Sequence, residues 1–190
     1  MRIRLNGKKT EIKPASNMTV AEYIEFWKQV KEGDNLFRVT LIYLSIVTGL
    51  KFGDVLLDEI DNKTIGKINS YCDVPMLVDK MKISKEFYYG FTGQRFTQEL
   101  NWRAVGVRLL LSQKKKNELE LIVYLLSILI TGSYDVGKID ETYHRLLQYN
   151  SVDVFSFGTF FLRNLQAGSS KETRFSRLLK KIQNIFTRKQ

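Results

Sequence analysis

Ten consecutive residues, Leu121–Ile130, are apolar except for Ser127, and this run limits the fold of the 190-residue chain more than any other segment. A bilayer span needs about 20 such residues. The run is too short for that, so it has to be buried in protein. Extended to Glu118–Thr131, it is apolar on nearly every face, which predicts a helix at the centre of a core rather than on its rim.

Around that helix the punctuation is mostly helical. Thr19-Val-Ala-Glu22 is a capping box, in which the Thr hydroxyl and Glu carboxylate satisfy backbone donors at a helix start. Val20, Tyr23, Ile24, Trp27 and Val30 follow at helical spacing to about Lys31. Gly33-Asp34 breaks the pattern, and Asp34 or Asn35 caps a second helix over roughly 35–48. Its predicted inner face is Leu36, Val39, Thr40, Tyr43, Leu44 and Val47, with Gly49 as the stop. Short helical segments are predicted at Asp54–Leu57 and Asn62–Tyr71, and a helix near Glu141–Gln148 after a cap region at Asp135–Asp140. Trp102–Ser112 also reads as helical, despite Gly106.

Extended structure is predicted in two places. Arg2–Leu5 and Lys8–Ile12 flank Asn6-Gly7, a strong signal for a type I′ hairpin because both turn residues tolerate positive φ, and Pro14 ends the second strand. Lys82–Tyr89 reads as extended, continuing through Phe91–Phe96. The predicted fold is therefore mainly α. It is a helical single domain over 1–167 with a short N-terminal hairpin, then Gly168-Ser169-Ser170 as linker and a basic amphipathic helix within 168–190.

Side chains that carry chemistry are scarce. The chain has one His, His144, and one Cys, Cys72. A zinc site needs three or four ligands, so these two would need a carboxylate majority to form one. No Gly-rich phosphate loop, HExxH or GxSxG occurs. His144 follows Asp140 by four residues, the spacing of an ordinary surface pair on a helix. Cys72 sits at a helix end and reads as a small hydrophobe. Asp54, Asp58, Glu59 and Asp61 lack calcium-loop spacing and read as capping and solvated residues. No constellation supplies a nucleophile, a base and a stabilising group together, so neither catalysis, a cofactor nor a metal is expected. A lone cysteine and an N-terminus with no apolar core segment fit a reducing, cytoplasmic setting.

Charge is the other signal. The net charge is +10, and seven of the cations fall in 171–190 against Glu172 alone, a local +6. Arg2, Arg4, Lys8, Lys9 and Lys13 against Glu11 give a second concentration of +4. In the tail, Phe175, Leu178, Leu179, Ile182 and Phe186 recur every three or four residues. Arg174, Arg177, Lys180, Lys181 and Arg188 fall largely between them. The apolar stripe is a candidate partner-binding face and the cations a candidate site for an anionic partner. Packing of the same stripe on its own domain is the alternative. Phe155, Phe157, Phe160 and Phe161 form a further aromatic set, read as core or as a docking surface.

Three stretches together resemble the tail assembly chaperones of long-tailed bacteriophages and structural proteins of similar phages. Met18–Ile24 followed by Tyr43–Gly49 and the acidic segment Asp54–Ile60 is similar to their helix pair, turn and short helix. Phe91–Phe96 is similar to a segment that precedes a helix. Tyr124–Ile128, Tyr134-Asp135 and Gly158–Phe161 are similar to their core helix, turn and terminal aromatic pair. The resemblance spans most of residues 15–165 and brings no catalytic residues. It implies a helical protein that binds the long, coiled-coil-prone tape-measure protein in the host cytoplasm while the tail tube assembles. The basic tail departs from that pattern. It points to the alternative of a virion structural or DNA-associated protein, with nucleic acid met through the tail.

Overall fold

The computed structural model describes residues 1–5, 7–51, 62–72, 117–132 and 134–158. It is mainly helical with a two-stranded antiparallel hairpin at the N-terminus, as the capping and turn residues predict. The chain divides into two compact units, Met1–Pro75 and Met76–Gln190.

In the first unit β1 (Arg2–Leu5) pairs with β2 (Lys8–Glu11) in the register Arg2↔Glu11, Ile3↔Thr10, Arg4↔Lys9, Leu5↔Lys8. Gly7 has φ +73°, the left-handed conformation the tight turn requires. Met1 and Ile12 exchange both backbone hydrogen bonds at 2.7 Å and lengthen the ladder by one pair. Strand alternation sorts the side chains by face. Ile3, Leu5 and Ile12 are buried, whereas Arg2, Arg4, Lys9 and Glu11 are exposed.

The hairpin rests on three helices, α1 (Val20–Gln29), α2 (Leu36–Thr48) and α3 (Asn62–Cys72). Thr19 and Glu22 form the predicted capping box at the start of α1. Asn35, rather than Asp34, caps α2, accepting from the Arg38 N–H at 2.9 Å. Gly49 ends α2 at φ +71°. Ile3, Leu5, Ile12, Met18, Phe26, Ile42, Tyr43, Leu44 and Ile68 make one continuous core. Each such side chain, fully buried, is worth about 1.5–3 kcal/mol. Thr40 donates to the Asn69 side-chain oxygen at 2.6 Å, a polar tie between α2 and α3.

The buried face of α2 differs from the predicted one at its first turn. Leu36 is 59% exposed, and the buried set is Thr40, Ile42, Tyr43 and Leu44. Core contact begins a full turn after the N-cap, so the helix start projects past the surface its later turns cover.

In the second unit α4 (Glu118–Thr131) matches the predicted core helix, and all of Leu121–Ile130 is buried. Ser127 donates to the Val123 carbonyl at 2.8 Å, so the one hydroxyl in the run is satisfied within the helix. Asn117 and Glu120 form a second capping box, and Gly132 closes the helix at φ +57°. α5 (Val136–Leu147) packs against α4 through Ile139, Thr142, Tyr143 and Leu146, one face at helical spacing. Asp135 caps α5, accepting from Gly137 N–H and Lys138 N–H at 2.8 and 3.3 Å. Residues 151–158 are helical, with Val154, Phe155 and Phe157 buried. Those two phenylalanines are therefore core, not docking surface.

Candidate functional site

Four carboxylates of the described residues, Glu22, Asp34, Glu120 and Asp135, are committed to structure. Glu22 is the clearest case. Its Oε2 accepts from the Thr19 N–H at 2.8 Å, and its two oxygens lie 2.6 and 2.5 Å from Lys13 Nζ. The Lys13 carbonyl in turn accepts from the Tyr43 hydroxyl. One node thus joins the segment after β2 to α1 and α2. Asp34 pairs with Arg38 at 3.0 Å and accepts from the Lys31 N–H. Glu120 and Asp135 are helix caps.

The titratable cluster of the second unit surrounds Tyr143. Its ring is edge-on to Tyr124 at 6.0 Å and to His144 at 5.6 Å. Burial pushes the Tyr143 phenol up to about 12, helped by the negative charges of Glu120 and Asp140. A phenol moved further above neutrality is a poorer general acid at pH 7, not a tuned one. Tyr23 is raised for the same first reason, burial, with the neighbouring Trp27 side chain opposing it. His144 is exposed, and its ring contact is with Tyr143. Cys72 is the last residue of α3. Lone histidine and lone cysteine therefore fall in different units. Among the described residues no group of three or more His, Cys, Asp or Glu side chains is arranged to hold a metal ion. In the same residues no helix is long and apolar enough to cross a membrane.

No protein family, curated protein or solved structure matches the chain.

Several predicted features lie outside the described residues. They are the tail stripe Phe175, Leu178, Leu179, Ile182 and Phe186, the cations Arg174, Arg177, Lys180, Lys181 and Arg188, and the Gly168–Ser170 linker. So do Asp54, Asp58, Glu59 and Asp61, the segments 82–96 and 102–112, and Phe160 and Phe161.

Two surface features remain in the first unit. Leu36 and Phe37, adjacent on the first turn of α2, are 59% and 54% exposed. Helical neighbours point about 100° apart, so the pair spreads over a broad sector of that helix start. The other feature is the outer face of the hairpin, where alternation places Arg2, Arg4 and Lys9 beside Glu11. Helical periodicity alone put Leu36 inside. The signal against it was the Gly33-Asp34 break just before it, which marks an exposed helix start.

Proposed function

We propose that this chain works by binding rather than catalysis, as a phage morphogenesis factor of the tail-assembly-chaperone kind with a long helical tape-measure partner. The observation that carries the reading is the exposed apolar pair Leu36 and Phe37 on a helix start whose later turns are buried. An apolar foothold beside a rigid core is what a helix-in-groove contact uses. The committed carboxylates and the up-shifted Tyr143 favour the non-enzymatic side of the proposal. The phage side is supported by the order of the three sequence stretches.

Co-expression tests it. The partner to co-express is a very long, helical reading frame sought beside this gene. Its soluble fraction should rise with the wild-type chain and fall back with a Leu36→Ser/Phe37→Ser variant that keeps its helical circular dichroism. A chaperone should also be absent from purified particles by mass spectrometry. The local +6 of residues 171–190 favours a second reading, a virion structural or DNA-associated protein acting through its tail. Finding the chain at stoichiometric levels in finished particles would select that reading and reject the chaperone.

A further inference from the structure

The hairpin concentrates positive charge in a way its own stability does not favour. Residues directly opposite in an antiparallel pair share a face, and like charges there are destabilising. Arg4 and Lys9 are directly opposite. Arg2 lies two residues from Arg4 on the same face, and Lys8 is exposed at the tip. Among the described residues none of these four cations is within ion-pair distance of a carboxylate. The other cation of this segment, Lys13, is paired with Glu22, and Arg38 with Asp34. Arg2, Arg4 and Lys9 thus share the outer face of a small ribbon with Glu11 alone, Lys8 is exposed at its tip, and the opposite face buries Ile3 and Leu5 in the core.

We propose that this face of the hairpin binds the phosphate backbone of duplex DNA. Arginine and lysine are the side chains that neutralise phosphates and release counterions. A two-stranded ribbon fits the major groove of B-form DNA, whereas the deep, narrow major groove of duplex RNA excludes it. A protein partner would need an aromatic or apolar anchor at the centre of the contact, and a membrane surface an apolar residue to insert. The face offers neither, because its residues are Arg2, Arg4, Lys9 and Glu11. The inference is independent of the partner proposed for Leu36 and Phe37, and it places DNA contact in the first unit rather than in the tail.

The test measures binding of the full-length chain to a short fluorescent DNA duplex between about 50 and 200 mM salt. An Arg4→Gln/Lys9→Gln variant removes two cations from the face. A Lys63→Gln/Lys67→Gln variant removes the same charge from exposed positions on α3. Each phosphate contact contributes about 0.9 to the log–log salt slope. The hairpin variant should therefore lose about 1.8 from the slope and bind roughly tenfold or more weakly at low salt, with the α3 variant unchanged. The tail is present in all three proteins, so the difference isolates the hairpin. Arg2→Gln/Lys9→Gln repeats the test on the same face if the first variant does not fold. An unchanged slope in both hairpin variants overturns the proposal. So does equal loss in the α3 variant, or tighter binding to single strands, duplex RNA, polyglutamate or phosphatidylserine vesicles.

Discussion

Replacing Glu22 should separate the two tasks its carboxylate performs. The oxygens close the capping box with Thr19 and hold Lys13 at 2.5–2.6 Å. Glu22→Ala removes both. Loss of a cap costs about 0.5–2 kcal/mol. The ion pair is partly screened, with its side chains 33% and 26% exposed, so about 0.5–1 kcal/mol is assigned to it. Together these give a loss of about 1–3 kcal/mol for Ala. Glu22→Gln keeps an acceptor for the Thr19 N–H, since Gln also serves at this position of a capping box. It loses only the charge facing Lys13, so its loss should be about 0.5–1 kcal/mol. Urea titration at fixed ionic strength reads both values from the shift in midpoint. Trp27, next to Phe26 in the core of the first unit, is the fluorescent reporter in a Trp102→Phe background. Raising salt should shrink the difference between wild type and Gln but not that between Gln and Ala. If Gln is as damaging as Ala, the backbone share of the node is negligible and this reasoning fails. An Ala loss below about 0.5 kcal/mol would show that water replaces the whole node.

Tyr143 and Gly158 give two further tests. The folded state holds the Tyr143 phenol at about 12 against an ordinary 10.0. Unfolded chains therefore lose this proton first, and stability should fall as pH rises from about 10 towards 12; a Tyr143→Phe variant should lose that part of the fall in pH-dependent melts. A Cβ added at Gly158 would sit 3.3 Å from Leu126 Cδ1 and 3.5 Å from Ile122 Cγ2. Gly158→Ala gains up to about 0.8–1 kcal/mol of helix preference. A small rotation of Leu126 relieves the contact, so the variant should be neutral to slightly stabilised. Gly158→Leu should instead lose about 1–3 kcal/mol by overpacking. Denaturation that finds Ala worse by more than 1 kcal/mol would mean that Leu126 has no room to turn.

Elements governed by neighbouring residues were legible in the sequence. The Gly7 turn, the Thr19–Glu22 box, the Asn35 cap, the Gly49 stop and the bounds of α4 all follow from interactions within a few residues. What escaped depends on contacts distant in sequence. Nothing local to Lys13 says that its side chain meets Glu22 or that its carbonyl meets Tyr43. Leu36 has the right spacing for the core, yet on the first turn of α2 it is exposed. The hairpin charges were legible as a composition bias. Only the register shows Arg4 directly opposite Lys9 and leaves Lys13 out of the set. The tail residues remain a reading of spacing alone.

The node at Lys13 also sets an order of assembly. Its bond to Glu22 spans 9 residues and its bond to Tyr43 spans 30. Loop-closure entropy grows with the logarithm of that separation, so the longer closure costs about 1 kcal/mol more. The hairpin and α1 are therefore the cheaper pair to bring together, and docking of α2 completes a frame already half built. On that order, stability lost at Glu22 appears as slower refolding, and stability lost in Tyr43→Phe appears as faster unfolding.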